Sequence, residues 1–111
     1  EAVVSPLGRK ALAEANDHAT VITNLMTGRP ARGVANRVMR EVGPVAAGAP
    51  PFPHAATALS PLKTAAEKLG KVDFTNLWAG QAVALGREMP AADLTRTLAQ
   101  AALQRLGQLG G

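Results

Sequence analysis

The chain has 111 residues, enough for one domain with a modest core that must be built mostly from Ala, Leu and Val. Its 12 basic and 8 acidic residues give a formal charge of +4, but one Trp, two Phe and no Tyr offer few stacking rings, so we expect no nucleic-acid partner. Cysteine is absent, which excludes disulfides and thiolate sites, and prolines and glycines interrupt the longest uncharged stretch, so we expect no membrane span.

The first predicted elements are a helix and a strand. Ser5 is a favourable N-cap and Pro6 suits the first helical position, so the sequence predicts a helix from there to about residue 17. β-branched residues then dominate 19–25, which favours an extended strand. We interpret His18, between the two elements, as a surface residue and give His54 the same interpretation.

A turn at residues 27–30 precedes a predicted second helix. Pro30 suits the first turn of a helix, with Thr27 or Gly28 close to the N-cap. On such a helix four arginines would share an arc of roughly 140°. They are Arg29, Arg32, Arg37 and Arg40. Such an arginine face is either a solvated surface or, with the free N–H groups at the start of the helix, the surroundings of a bound anion.

The second half of the chain reads as a loop followed by three helices. An Ala/Gly/Pro segment at 43–58 predicts a long irregular crossing. Ser60 and Pro61 repeat the Ser-Pro helix start, and Gly70 ends that helix. Pro90 opens the last helix, which carries an apolar stripe that must pack on something. The stripe consists of Leu94, Leu98, Ala102, Leu106 and Leu109.

The tryptophan lies at the predicted start of the intervening helix. Trp78, Ala79, Gly80 and Gln81 follow one another there. One interpretation is a hydrophobic anchor before a close-packed helix start. The other is that Gly80 lets a flat ligand approach the backbone while Gln81 hydrogen-bonds the edge of that ligand. Taken together, the elements predict a mainly α fold with one short strand.

Two motifs carry a resemblance to a known family. T-G-R-P-A-R-G at 27–33, followed by Asn36 and Arg37, and L-W-A-G-Q-A at 77–82 resemble the carboxy-terminal part of nitronate monooxygenases. The resemblance implies an α/β parent protein, an FMN-binding (β/α)8 TIM barrel. It also implies that residues 1–111 are a single carboxy-terminal fragment, the barrel-closing and cap region, whose partner is the missing amino-terminal barrel.

The resemblance further implies an activity and its residues. The parent would oxidise alkyl nitronates with O2 to carbonyl compounds and nitrite. Trp78, Ala79, Gly80 and Gln81 would lie beside FMN. A second group would be substrate-pocket or structural residues: Thr27, Gly28, Arg29 and Arg32. The catalytic base would lie outside this chain, no metal is implied, and the fragment alone would be inactive.

Two alternatives from other functional classes stay open at this point. An NAD(P)H-dependent flavin reductase or enoyl reductase on the same barrel would differ from a nitronate monooxygenase in the catalytic base and the nicotinamide contacts, which lie upstream of this chain. A free-standing helical interaction module would use the basic helix on an acidic partner, and cooperative unfolding of the isolated chain would favour it. We expect a cytoplasmic protein, since a chain without cysteine is compatible with a reducing compartment.

Overall fold

A computed structural model of the protein describes residues 4–110. Its elements are α1 (Pro6–Glu14), β1 (Thr20–Thr23), β2 (Ala31–Val34), α2 (Arg37–Val42), α3 (His54–Lys68) and α4 (Ala91–Gly110), with one 3-10 turn at Val83–Leu85. The prediction of a mainly helical chain is confirmed, but the prediction of one strand is wrong. The described residues contain two strands, paired in one sheet.

β1 and β2 form an antiparallel hairpin in which Thr20 pairs with Val34 and Thr23 with Ala31. The predicted helix from Pro30 is therefore wrong, because Ala31–Val34 is extended. Gly33 would cost a helix interior about 1 kcal/mol relative to Ala, whereas pairing with β1 satisfies the backbone of the same residues. α2 begins only at Arg37, where the side chain of Asn36 accepts a hydrogen bond from the Met39 N–H.

α3 begins earlier than the sequence predicts. The N–H of His54 bonds the carbonyl oxygen of Pro51 at 2.8 Å and closes the turn into the helix. The irregular crossing therefore ends at residue 53 rather than 58. Ser60 does not cap α3, and Pro61 lies inside it. A proline there removes one helical N–H donor, a cost that this 15-residue helix accommodates.

The described residues bury few apolar side chains. The buried hydrophobic residues are Met26, Met39, Ala55 and Ala66, whereas none of the leucines and valines among residues 4–110 is buried: about half are half-buried and the rest exposed. In α4, Leu94 is half-buried and the other leucines lie in solvent. The radius of gyration is 17.0 Å, compared with about 13 Å for a compact domain of this length. Beyond Leu94, the apolar stripe of α4 therefore has no cover within residues 4–110.

No helix among residues 4–110 combines the length and the apolar character needed to cross a bilayer.

Candidate functional site

The 78–81 segment lies beside the hairpin. Trp78 pairs with Gly33 in an isolated antiparallel bridge. The N–H of Val34 donates to the carbonyl oxygen of Leu77 at 2.8 Å, and the N–H of Ala79 donates to that of Arg32 at 3.4 Å. The two bonds flank the Gly33–Trp78 pair, so this is a non-hydrogen-bonded antiparallel pair, the kind in which the two Cα atoms lie closer together. The segment is thus held at the edge of β2 that does not face β1, by an isolated bridge rather than by a strand.

The expectation that 78–81 starts an α-helix is wrong. Trp78 is extended, and the chain then turns into the single 3-10 turn Val83–Leu85. The bridge to β2 uses the backbone groups on both sides of Trp78, so the chain cannot be helical there. Hydrogen bonds between residues 43 and 47 positions apart override the local helical pattern.

Gly80 and Gln81 follow this bridge along the chain. Both are exposed, and a Cβ atom built on Gly80 would meet no other atom within 4 Å. The Trp78 side chain beside them is 43% exposed. A planar ring therefore has steric access to the Gly80 backbone, between an indole and a side-chain amide. The arrangement is an open wall rather than an enclosure.

Thr27 and Gly28 belong to the turn at the tip of the hairpin. The Thr27 hydroxyl accepts a hydrogen bond of 3.3 Å from the Arg29 N–H. Gly28 has φ +95°, and a Cβ there would stand 2.6 Å from the carbonyl oxygen of Pro50 and collide with the Phe52 N–H group. Thr27 therefore stabilises the turn, and Gly28 lets the turn lie against the 50–52 loop. Neither N–H starts a helix, so the helix N-terminus on which the anion-surround interpretation rested is not formed.

The four arginines do not share a helical face. The Arg29 guanidinium lies over the Phe52 ring, 4.3 Å from its centroid. Arg32, on β2, donates to the carbonyl and hydroxyl oxygens of Thr20 at 3.3 and 3.2 Å. Arg37 and Arg40 alone lie on α2. The basic face was inferred from a helical period that the chain does not follow between residues 29 and 34.

Arg37 is occupied by acidic neighbours. Its Nε donates to the Glu41 carboxylate at 2.7 Å, and its Nη1 lies 3.9 Å from Asp73. The hydrogen bond to Glu41 and the charge of that carboxylate raise the pKa of the Arg37 guanidinium, with a smaller contribution from the charge of Asp73. The group is solvated, so the pairs contribute little to stability.

The candidate residues fall into two groups. Arg32 touches the 78–81 segment through its carbonyl oxygen, which accepts from Ala79. Thr27, Gly28 and Arg29 lie at the hairpin tip against the 50–52 loop. Gly33 lies against Leu77 and Trp78, and the sequence motif that contains it predicted no role for it. A glycine inside a strand is a signal of close backbone approach.

Neither histidine lies at a site. His18 is exposed, and its N–H bonds the Asn16 side chain at 2.9 Å. His54 is exposed at the first position of α3. Between residues 4 and 110 no group of three or more His, Asp or Glu side chains is arranged to hold a metal.

Comparison with known proteins gives a consistent answer. Residues 1–101 match the sequence profile described as Nitronate monooxygenase. The chain is 43% identical over 95 residues to a nitronate monooxygenase of Pseudomonas aeruginosa, covering 83% of this chain and 26% of the relative. It is 31% identical over 91 residues to a probable nitronate monooxygenase of Staphylococcus saprophyticus, covering 82% of this chain and 26% of the relative.

The fold is similar to that of a crystallised protein. It matches nitroalkane oxidase from Streptomyces ansochromogenes with a TM-score of 0.76 and 35% identity, over 96% of this chain and 30% of that one. The chain thus spans about a quarter of the length of its curated relatives. The profile match covers nine-tenths of the sequence, and it includes both motifs that carry the resemblance. The chain belongs to the nitronate monooxygenase family.

Proposed function

We propose that this chain is the carboxy-terminal part of an FMN-dependent nitronate monooxygenase on a (β/α)8 barrel, acting on alkyl nitronates with O2 to give carbonyl compounds and nitrite. Family membership supports the enzyme class. The share of the relatives that the chain spans supports a fragment whose barrel lies elsewhere in the polypeptide. A cytoplasmic location stays a prediction.

One observation carries the site assignment: the open backbone at Gly80 between two exposed side chains. Trp78 would offer an apolar surface to the flavin, and the Gln81 amide would donate to or accept from its edge. FMN, when bound, would supply the electron-accepting chemistry. The residues of this chain would bind and orient it, while the groups that hold its phosphate and move the substrate proton would come from the rest of the polypeptide.

The hairpin-tip residues serve structure in this proposal. Thr27 and Gly28 shape the turn, Arg29 stacks on Phe52, and Arg32 ties β2 to Thr20. Each of these contacts is made within the chain. Of the two roles that the resemblance implied for these four residues, the structural one is therefore better supported than the substrate pocket.

The scattered arginines also weigh against a free-standing interaction module. That alternative needs a continuous basic face, and of the four arginines predicted to form it only Arg37 and Arg40 share a helix. The exposed apolar stripe of α4 instead favours a chain that packs on a larger body. We propose that the body is the remainder of the same polypeptide.

The test uses a hybrid protein in which this chain replaces the segment of the P. aeruginosa relative that it matches. Gln81→Ala and Gly80→Val should each weaken FMN retention, whereas Arg96→Ala should not, because Arg96 is exposed on α4 and paired with Asp93. Equal retention in all three variants would remove the site assignment. Turnover of NADH without nitronate would instead indicate the flavin reductase class.

The isolated 111-residue chain supplies a second arm of the test. It should bind FMN negligibly and turn over no nitronate, because the chain offers only one wall of the proposed site. Quenching of flavin fluorescence at micromolar concentrations of the isolated chain would contradict this.

A further inference from the structure

We propose that Gly33 is a positioning residue of the flavin site: its missing side chain seats Trp78 against β2 and so fixes where Gly80 and Gln81 meet the cofactor. The inference rests on the proposed function. It concerns a residue that does not itself touch the cofactor and that acts through the segment it holds.

The first step is steric. A Cβ on Gly33 would lie 2.9 Å from the carbonyl oxygen of Leu77 and 3.3 Å from Cε3 of the Trp78 indole. The nearer atom, the Leu77 carbonyl oxygen, belongs to the backbone and cannot move aside by a change of rotamer. That same oxygen accepts the 2.8 Å hydrogen bond from Val34. Any side chain at position 33 therefore displaces the bridge itself.

The second step is that β2 has little room to retreat. Its partner β1 holds it over four paired positions. The Arg32 guanidinium is tied to Thr20, a buried residue. Just beyond the strand, the Ala35 N–H donates to the carbonyl oxygen of Ala19 at 2.7 Å. An added methyl group would therefore move the 77–79 side of the pair and leave β2 in place.

The third step links the bridge to the site. Ala79 is the last residue that bonds β2, and Gly80 follows directly. Gly80 and Gln81 are exposed, and no packing surrounds the Cβ position of Gly80. Their position is set by the bridge before them and by the turn after them, where the Val83 N–H bonds the Gly80 carbonyl oxygen at 3.2 Å. A shift at Trp78 passes to both residues.

The test compares Gly33→Ala with Met39→Ala in the FMN-loaded hybrid protein. Met39 is 3% exposed and lies on α2, so its truncation lowers stability while the backbone groups that form the bridge are unchanged. We expect Gly33→Ala to weaken FMN retention about tenfold, the scale of one misplaced hydrogen bond, and to change the visible circular dichroism of the bound flavin. Met39→Ala should lower the unfolding midpoint and leave that spectrum unchanged.

Amide hydrogen exchange gives a readout that needs no flavin. In Gly33→Ala, the Ala79 N–H, in peptides that cover 77–82, and the Val34 N–H, in peptides that cover 31–36, should exchange faster than in Met39→Ala, because these two groups donate the bonds that are lost. If Gly33→Ala does not accumulate as folded protein, Ala79→Pro carries the test, since it removes the other bridging N–H and leaves Gly33 intact.

Two failures are distinguishable. If Gln81→Ala weakens FMN retention while Gly33→Ala and Ala79→Pro both behave like Met39→Ala, the positioning role is overturned and the proposed function stands. If Gln81→Ala and Gly80→Val leave retention unchanged, the proposed site itself falls, and the role of Gly33 falls with it.

Discussion

Asn36 and Thr75 are joined by a buried hydrogen bond: the Asn36 side-chain amide donates to the Thr75 carbonyl oxygen at 3.1 Å. The amide oxygen of the same side chain caps α2. The Thr75 hydroxyl in turn donates to Glu67 on α3 at 2.8 Å. One side chain therefore connects the start of α2 to the segment that leads to Trp78 and, through it, to α3. In a chain with so few buried apolar residues, such polar links hold the elements together.

Asn36→Ala should lower the free energy of unfolding of the hybrid protein by about 2–3 kcal/mol, because it removes a helix cap and leaves a buried carbonyl without its donor. Asn16→Ala is the matched control. Asn16 also accepts a backbone hydrogen bond, but it is exposed, so its loss should cost less than about 0.5 kcal/mol. Urea unfolding followed by circular dichroism measures both, and equal midpoints would contradict the link.

Gly28→Ala should destabilise the hybrid protein more than Gly43→Ala. Both glycines have φ above +90°, so both substitutions place an L side chain in the left-handed region, at about 1–2 kcal/mol. Only Gly28 adds a collision, with the backbone of residues 50–52, whereas a Cβ at Gly43 meets nothing within 4 Å. The collision should add about 1–3 kcal/mol.

The same urea titration compares these two glycine variants. If they unfold at the same midpoint, the 50–52 loop does not rest on the hairpin tip in solution.

Leu98→Asp tests whether the remainder of the polypeptide covers α4. Leu98 lies on the apolar stripe and is 61% exposed in this chain. If the stripe is buried in the hybrid protein, a carboxylate there should lower the unfolding midpoint and the soluble yield, with a cost of about 2 kcal/mol or more. Gln100→Asp places the same charge on the opposite side of α4 and should change little. Identical behaviour of the two variants would indicate that the stripe stays in solvent.

Local signals were sufficient for the ends of the chain. The Ser5 hydroxyl accepts from the Gly8 N–H at 3.1 Å, as the Ser-Pro pattern predicted, although α1 ends at Glu14 rather than near residue 17. α4 begins one residue after Pro90, as expected for a proline at a helix start. Caps and helical periodicity act within one turn of the chain, so a single sequence contains all that is needed to recognise them.

The middle of the chain could not be predicted in this way, because its structure depends on distant partners. Ala31–Val34 is extended since it pairs with β1 on one side and with Trp78, 45 residues from Gly33, on the other. Pro30 and Pro61 have the same local preference for a helix start, yet one precedes a strand and the other lies within a helix. The same holds for the candidate site: its residues are neighbours in sequence, but their surroundings depend on pairings that no local pattern encodes.

Arg32→Lys distinguishes a structural arginine from one that holds a substrate anion. Lysine keeps the charge, but its Nζ stands one bond nearer the backbone than the Arg32 Nη1 that donates to both Thr20 oxygens. We expect the free energy of unfolding of the hybrid protein to fall by about 1 kcal/mol, with KM for nitronate unchanged. Thr20→Val, which removes one of the two acceptors, should lower stability in the same direction. Arg40→Lys, at an exposed position on α2, should alter neither quantity. A rise in KM for Arg32→Lys without loss of stability would instead place its guanidinium at the substrate, because a charge that binds an anion acts on the complex and not on the fold.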